Sequence, residues 1–273
     1  MALGVITPGT TGNLQTAVGF SGLIANDDVL INRGFEQYTA GLDFTSKNLG
    51  SVWVDHGFGG SIGGEGDPWK LHSDQSGKIV ALFGSGTHVY ISPGAQTIRE
   101  LRCGMKRVHV SGEAGGTVAA LAVLGGLCVV GGSLPTLTEF LVEDGQGVLL
   151  AGGNAVPTLR VGPRGLARVA RDFDAAELAG DVYLDATGVT PAGAVEVHGR
   201  LHVIQCGAWG ASSTLTLAPG AVLDLTKSNS QLSLQNFVHW PGSVVRKRKN
   251  GPGIAVAGTE TAKYGGYRVE EAG

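Results

Sequence analysis

The stretch "LTLAPGAVLDL" (215–225) sets two short alternating apolar runs on either side of an Ala-Pro-Gly corner. The chain does much the same again at "QLSLQNFVHW" (231–240). Alternation with a period of two marks strands, and a Pro-Gly pair marks a tight bend between them. Pro219-Gly220 makes the bend, and Leu215, Leu217, Val222 and Leu225 take inward and stacking positions.

Working outward, the same unit returns along most of the chain. Short apolar strands start at residues 89, 108, 127, 148, 166, 182, 201 and 222, in steps of 19, 19, 21, 18, 16, 19 and 21. A second series lies between them, from "IVALF" at 79 to "QLSL" at 231, and is interrupted only at "DFDAAEL" (172–178). Strands of three to five residues are short for a sandwich or meander barrel. A propeller needs about 40–45 residues per blade and more aromatic residues. A near-constant step of about 19 suits a β-solenoid, in which each turn buries its apolar side chains against the next. The expected fold is therefore all-β: a β-solenoid, right-handed as in the usual case. Val89, Val108, Leu127, Val148, Leu166, Val182, Leu201 and Val222 are its expected inward column.

Composition agrees. Glycine supplies 46 of 273 residues, about 17% against an average near 7%, which suits many tight corners. Apolar residues reach 42%, enough to build a core. The net charge of −3 argues against a general nucleic-acid binder. The run "VAALAVLGGLCVVGG" (118–132) is too short and too glycine-broken for a membrane helix. The start "MALGVITPGTTGNLQ" has neither the basic residues nor the apolar run of a secretory signal, which points to folding in a cytoplasm. Cys103, Cys128 and Cys206 have no metal-like spacing and read as small buried hydrophobes.

Four segments follow: an extended arm over 1–28, an aromatic Gly-rich cap or docking module over 29–76, the solenoid over 77–245, and a basic, Gly-rich tail over 246–273. The arm offers Leu14 and Phe20 to a partner, and the aromatic module offers Phe35, Tyr38, Trp53 and Trp69. Phe237 and Trp240 are expected to form a lid, and Arg246, Lys247, Arg248 and Lys249 form the sharpest run of charge. Such a run binds phosphate or an acidic patch on a partner, or is simply solvated.

For chemistry, the acidic group Asp172, Asp174, Glu177, Asp181 and Asp185 interrupts the apolar pattern. Two carboxylates about 5 Å apart serve a retaining glycosidase, and a wider pair an inverting one. A solvated loop or short helix explains the same residues, because "DFDAAELAG" opens on capping acids and stops at a glycine. Asp172, Asp174 and Asp181 are the acid candidates. Glu139, Glu143 and Asp144 read as a turn. Histidines 88 and 109 suit neighbouring turns, and His198 and His202 are placed to face each other across a corner. Neither pair supplies the three or four ligands zinc requires, so no metal or cofactor is expected.

These features together resemble the β-helical structural proteins of tailed bacteriophage virions: the Gly/Thr-rich start "MALGVITPGTTGNLQTAVGF", the aromatic module, the "APGAVLDL"-type corners and the short tail. Phrases such as "LTLAPGAVLDL" are also similar to the passenger repeats of secreted autotransporters and haemagglutinin-type adhesins. The virion resemblance implies a non-enzymatic part assembled in a host cytoplasm, a capsid decoration or cement protein, as a homo-oligomer (a trimer) bound to major capsid or other virion proteins. A tail spike or fibre module that binds or cleaves host polysaccharide is the alternative it implies.

Overall fold

The computed structural model describes residues 3–7, 12–23, 27–44, 49–71, 74–84, 86, 88–93, 97–111, 116–131, 134, 136–185 and 189–272. Strand accounts for 57% and helix for 3%, and the strands wind as a β-solenoid of about 11 turns with roughly 20 residues per turn. The chain divides into two compact units, residues 1–138 and 139–273.

In the first unit one stack of parallel strands runs through Leu3–Ile6, Asp28–Ile31, Val52–Val54, Asp74–Leu82, Thr97–Cys103 and Thr117–Val123. A second runs through Gln37–Tyr38, Ser61–Ile62, His88–Ser92, Arg107–Val110 and Leu127–Val130. In the second unit Val156–Val169 contributes to two parallel stacks of that unit. Its first half pairs with Phe173–Leu178, followed by Ala194–Val197, Thr214–Leu217 and Asn236–His239. Its second half pairs with Asp181–Asp185, followed by Arg200–Gln205, Val222–Asp224, Val244–Arg248 and Arg268–Ala272. Parallel pairing between successive turns follows from the winding, since each strand meets the equivalent strand one turn on.

The corner in "LTLAPGAVLDL" is a β-turn. The Ala221 N–H donates to the Ala218 carbonyl at 3.0 Å, and Gly220 has φ +80°. A positive φ at the third position is the signature of a type II turn with proline before glycine. The next turn repeats it at Trp240-Pro241-Gly242-Ser243, with Gly242 also at +80° and Ser243 N–H on the Trp240 carbonyl at 3.2 Å. The expected lid is therefore another rung. Phe237 pairs in register with Leu215 and is fully buried.

Half of the expected inward column is out of phase. Val89, Val108, Val182 and Leu201 point inward, but at the other turns the buried residue is the next one: Cys128, Leu149, Ala167 and Leu223. In "LCVV", where neighbours are all apolar, period-two alternation has no visible phase, and only the pairing Val108 with Cys128 fixes it.

The coil also extends beyond 77–245. Leu3–Ile6 hydrogen-bonds to Asp28–Ile31, while Leu14, Phe20 and Leu23 are buried, so the described part of the expected arm is packed chain. The described residues of 29–76 form further turns rather than a separate cap. Successive partners Val5, Leu30, Trp53 and Ala81 lie 25, 23 and 28 residues apart, so these turns are longer. Rings fill the interior here: Phe44 packs edge-on against Trp69 at 5.6 Å and against Phe20 at 5.0 Å, and Tyr38 stacks on Phe58 at 6.4 Å. At the other end, Arg246, Lys247 and Arg248 lie in the strand Val244–Arg248, which pairs with Arg268–Ala272, and Lys249 follows it.

"DFDAAEL" is a strand as well, Phe173–Leu178, with Phe173, Ala176 and Leu178 buried and its charges outward. Two alanines favour helix locally, but pairing on both sides, with Val156–Val161 and Val195–Val197, outweighs that preference.

Candidate functional site

On a parallel stack, outward residues in register lie about 4.8 Å apart, so side chains of successive turns touch. In the second unit one such row reads Arg168, Tyr183, His202, Asp224, Arg246, Glu270. The Arg168 guanidinium lies 5.7 Å from the Tyr183 ring centre, and Tyr183 stacks on His202 at 4.2 Å with 2° between planes. His202 Nδ1 is 3.3 Å from Asp224 Oδ2, and Arg246 Nε donates to Glu270 at 2.7 Å. Burial holds the His202 imidazole below its ordinary pKa, against the attraction of Asp224 and Asp181. Burial pushes the Asp224 carboxyl up, but the Thr226 hydroxyl and N–H, with His202 and Arg200, bring it below its ordinary value.

Beside the heads of these strands lies an open groove of about 530 Å³, lined by Arg164, Asp181, His198 and Arg200 over a glycine floor. The floor is glycine because corners stack on corners. A Cβ on Gly180 would lie 2.2 Å from the Gly165 carbonyl oxygen, and one on Gly199 2.3 Å from that of Ala179. Two lining groups are engaged sideways: Arg164 with Asp144 at 3.3 Å, and His198 with Glu196 at 3.0 Å. Asp181 and Arg200 are register partners in the groove wall.

The acid candidates do not converge. Asp172 Oδ1 accepts from the Thr190 N–H at 2.7 Å, Asp174 lies on the outer side of Phe173–Leu178, and Asp181 belongs to the other stack, in the groove. Among the described residues no group of three or more His, Cys, Asp or Glu could hold a metal ion. His198 lies in the corner after Ala194–Val197 and His202 in the strand Arg200–Gln205, with different partners, Glu196 and Asp224. His88 and His109 do lie on neighbouring turns, with Tyr90 against both, at 5.3 Å and 4.3 Å.

Of the expected partner-binding residues, Leu14, Phe20, Tyr38 and Trp69 are core, because ring-sized volumes are needed inside the longer turns. Phe35 is 82% exposed over the Gly34–Gly59 corner, and Trp53 is half-buried on the outer face. Two of the four basic residues meet carboxylates of the following turn, Arg246 on Glu270 and Lys247 on Glu271 at 2.9 Å. Arg248 donates to the Ser228 carbonyl and the Asn229 side chain, and Lys249 is exposed. Glu139 and Asp144 are likewise paired, with Arg160 and Arg164. The Tyr–His stacks and the groove went unforeseen. Their signal is the spacing of Tyr183 and His202, one period apart at the same phase.

Comparison of the chain with family models, with curated proteins and with solved structures found no match. Among the described residues no helix is long and apolar enough to cross a membrane.

Proposed function

We propose that the chain is a non-enzymatic structural protein, a stiff β-solenoid module of a larger assembly, of the capsid decoration or cement kind found in tailed-phage virions. One observation carries this reading: inner and outer surfaces are both committed to holding turn on turn. Inside, Val182, Leu201, Leu223 and Val245 stack as a buried column. Outside, ring stacks and ion pairs join the same turns. Each outer contact contributes a few tenths to about 1 kcal/mol, and together they resist shear between turns. Docking to virion proteins then falls to surface features such as Phe35 and Lys249 rather than to an N-terminal arm, and the proposed homo-oligomer is a trimer.

Mass spectrometry of particles produced by the genome that encodes the chain tests the assembly role. Stoichiometric presence in purified particles supports it, and absence overturns it. Light scattering of the purified protein tests the trimer. The groove over Gly180 and Gly199 favours a second reading, a tail spike or fibre module that binds or cleaves host polysaccharide there. Incubation with capsule or peptidoglycan, followed by assay of reducing or unsaturated ends, separates the two. Release of either end with the wild-type protein, lost in Asp181→Asn, would favour the second.

A further inference from the structure

One surface arrangement occurs twice, once in each unit. In the first, "HVYI" (88–91) lies one turn before "RVHV" (107–110), and in the second "DVYL" (181–184) lies one turn before "RLHV" (200–203). The register is the same in both, and so is the geometry. Tyr90 stacks on His109 at 4.3 Å and 5°, as Tyr183 does on His202 at 4.2 Å and 2°. In both copies the outer His Nε2 is buried without a hydrogen-bond partner among the described residues. In both an open groove adjoins the strand heads, where Arg107 and Arg200 sit.

The copies differ in the residue one turn before that arginine. In the second copy it is Asp181, a carboxylate in register with Arg200. In the first it is His88, and the residue before Arg107 is Lys106. The groove there, about 470 Å³, is lined among the described residues by His88, Lys106, Arg107 and Leu127. Lys106 and Arg107 are exposed. On several other outer rows a cation meets a carboxylate, as in Arg33 with Asp55, Arg160 with Glu139 and Arg246 with Glu270. Here two permanent cations and an imidazole are gathered on neighbouring turns, in a chain whose net charge is −3. Glu65 acts on the neighbouring His109, against the repulsion of Arg107 and His88. Like charges held together in a concave site create a positive potential that an anion relieves.

We propose that the groove at His88, Lys106 and Arg107 is a binding site for a tetrahedral oxyanion, a phosphate or sulfate group either free or carried on a sugar. Arg107 supplies the planar fork of N–H donors, Lys106 a second charge, and His88 a ring N–H from the preceding turn. This inference stands apart from the assembly role proposed above.

The test is calorimetric titration of the whole chain with inorganic phosphate, inorganic sulfate, glucose 6-phosphate and, as uncharged control, glucose. Saturable one-to-one binding of the anions but not of glucose is expected. Lys106→Gln with Arg107→Gln, and separately His88→Asp, should each weaken it by about tenfold or more. Arg99→Gln, which lowers the net charge by one at an exposed site in the other stack, should leave it unchanged. Tighter binding of glucose 6-phosphate than of phosphate identifies a sugar-borne group, and equal binding a free ion. Either supports the site. No saturable anion binding, an unchanged affinity in His88→Asp, or an equal loss in Arg99→Gln overturns it. Thermal melts without anion establish that each variant is folded.

Discussion

Adjacent residues in "AVLDL" give a direct test of which face is the inside. Leu223 is fully buried and lies between Leu201 of the turn before and Val245 of the turn after. Val222, next to it, points outward and is half-buried. Leu223→Ala removes three carbons, about 2.4 kcal/mol at roughly 0.8 kcal/mol per buried methylene. Because Leu201 and Val245, stacked on either side, cannot collapse fully into the gap, a cavity term brings the loss to about 3–4 kcal/mol. Val222→Ala removes two carbons that are only partly withdrawn from water, so about 1 kcal/mol or less is expected. For a unit of this size the first loss corresponds to about 6–12 °C in Tm. Urea unfolding followed by circular dichroism reads the global effect. Hydrogen exchange at Leu201–Val203 and Val222–Asp224 reads the local one, which matters because solenoids lose stability turn by turn. A Val222→Ala loss equal to or larger than that of Leu223→Ala would refute the assigned phase, and with it the register of that stack.

Three further outcomes follow from the same geometry. Gly199→Ala should cost about 1–3 kcal/mol in urea unfolding, since its Cβ meets the Ala179 and Gly180 carbonyl oxygens at 2.3 and 2.4 Å, whereas Gly220→Asn, in open space at a φ that asparagine tolerates, should cost less. His202 and His109 have lowered folded-state pKa values, chiefly through burial. Their contribution to stability is therefore full above the unfolded value near 6.5 and is lost as pH falls towards the folded values. A His202→Phe variant, which keeps a ring against Tyr183, should lose less stability between pH 7 and 5 than wild type in parallel melts, and an identical pH profile would exclude His202 as a source. Cys103 and Cys128 are buried with Sγ atoms 3.7 Å apart, and Cys103 is pushed well above its ordinary pKa by the Cys128 contact and by burial. Native protein should therefore expose Cys206 to a thiol reagent before either of them, as peptide mapping after brief labelling would reveal.

The coil was legible because its determinants are local and repeat. Short alternating strands, glycine corners and a step near 19 each recur many times, so a single ambiguous turn does not hide the pattern. What the sequence concealed had specific causes. Where a strand is apolar on both sides, as at "LCVV", composition carries no phase, and Cys128 rather than Leu127 turns inward. In the longer early turns the step is no longer constant, and the large rings needed to fill them resemble a separate module. Tyr38 and Trp69 thus looked like docking residues while lying in the core. The run "RKRK" looked like a free cationic tail because its partners, Glu270 and Glu271, follow more than twenty residues later, and only winding brings them alongside.

The same winding constrains where a surface site can arise. On a stacked parallel face every outward side chain has neighbours about 4.8 Å away on the turns before and after, so its first role is to match them. Carboxylates meet guanidinium groups, rings meet rings, and the candidate acids Asp172, Asp174 and Asp181 are dispersed among such rows instead of converging. Chemistry directed outward is therefore to be sought where the matching fails, and the two copies of the Tyr–His stack expose such a failure by comparison. A carboxylate, Asp181, stands in register with Arg200, whereas the residue in the corresponding place before Arg107 is His88. A row that served only to brace the coil would favour a carboxylate at position 88, because an acid beside Arg107 would add an attraction that an imidazole does not. The mismatch is confined to one turn step, adjoins a groove, and leaves the stack beside it intact. That combination is expected of a bound anion that supplies the missing negative charge.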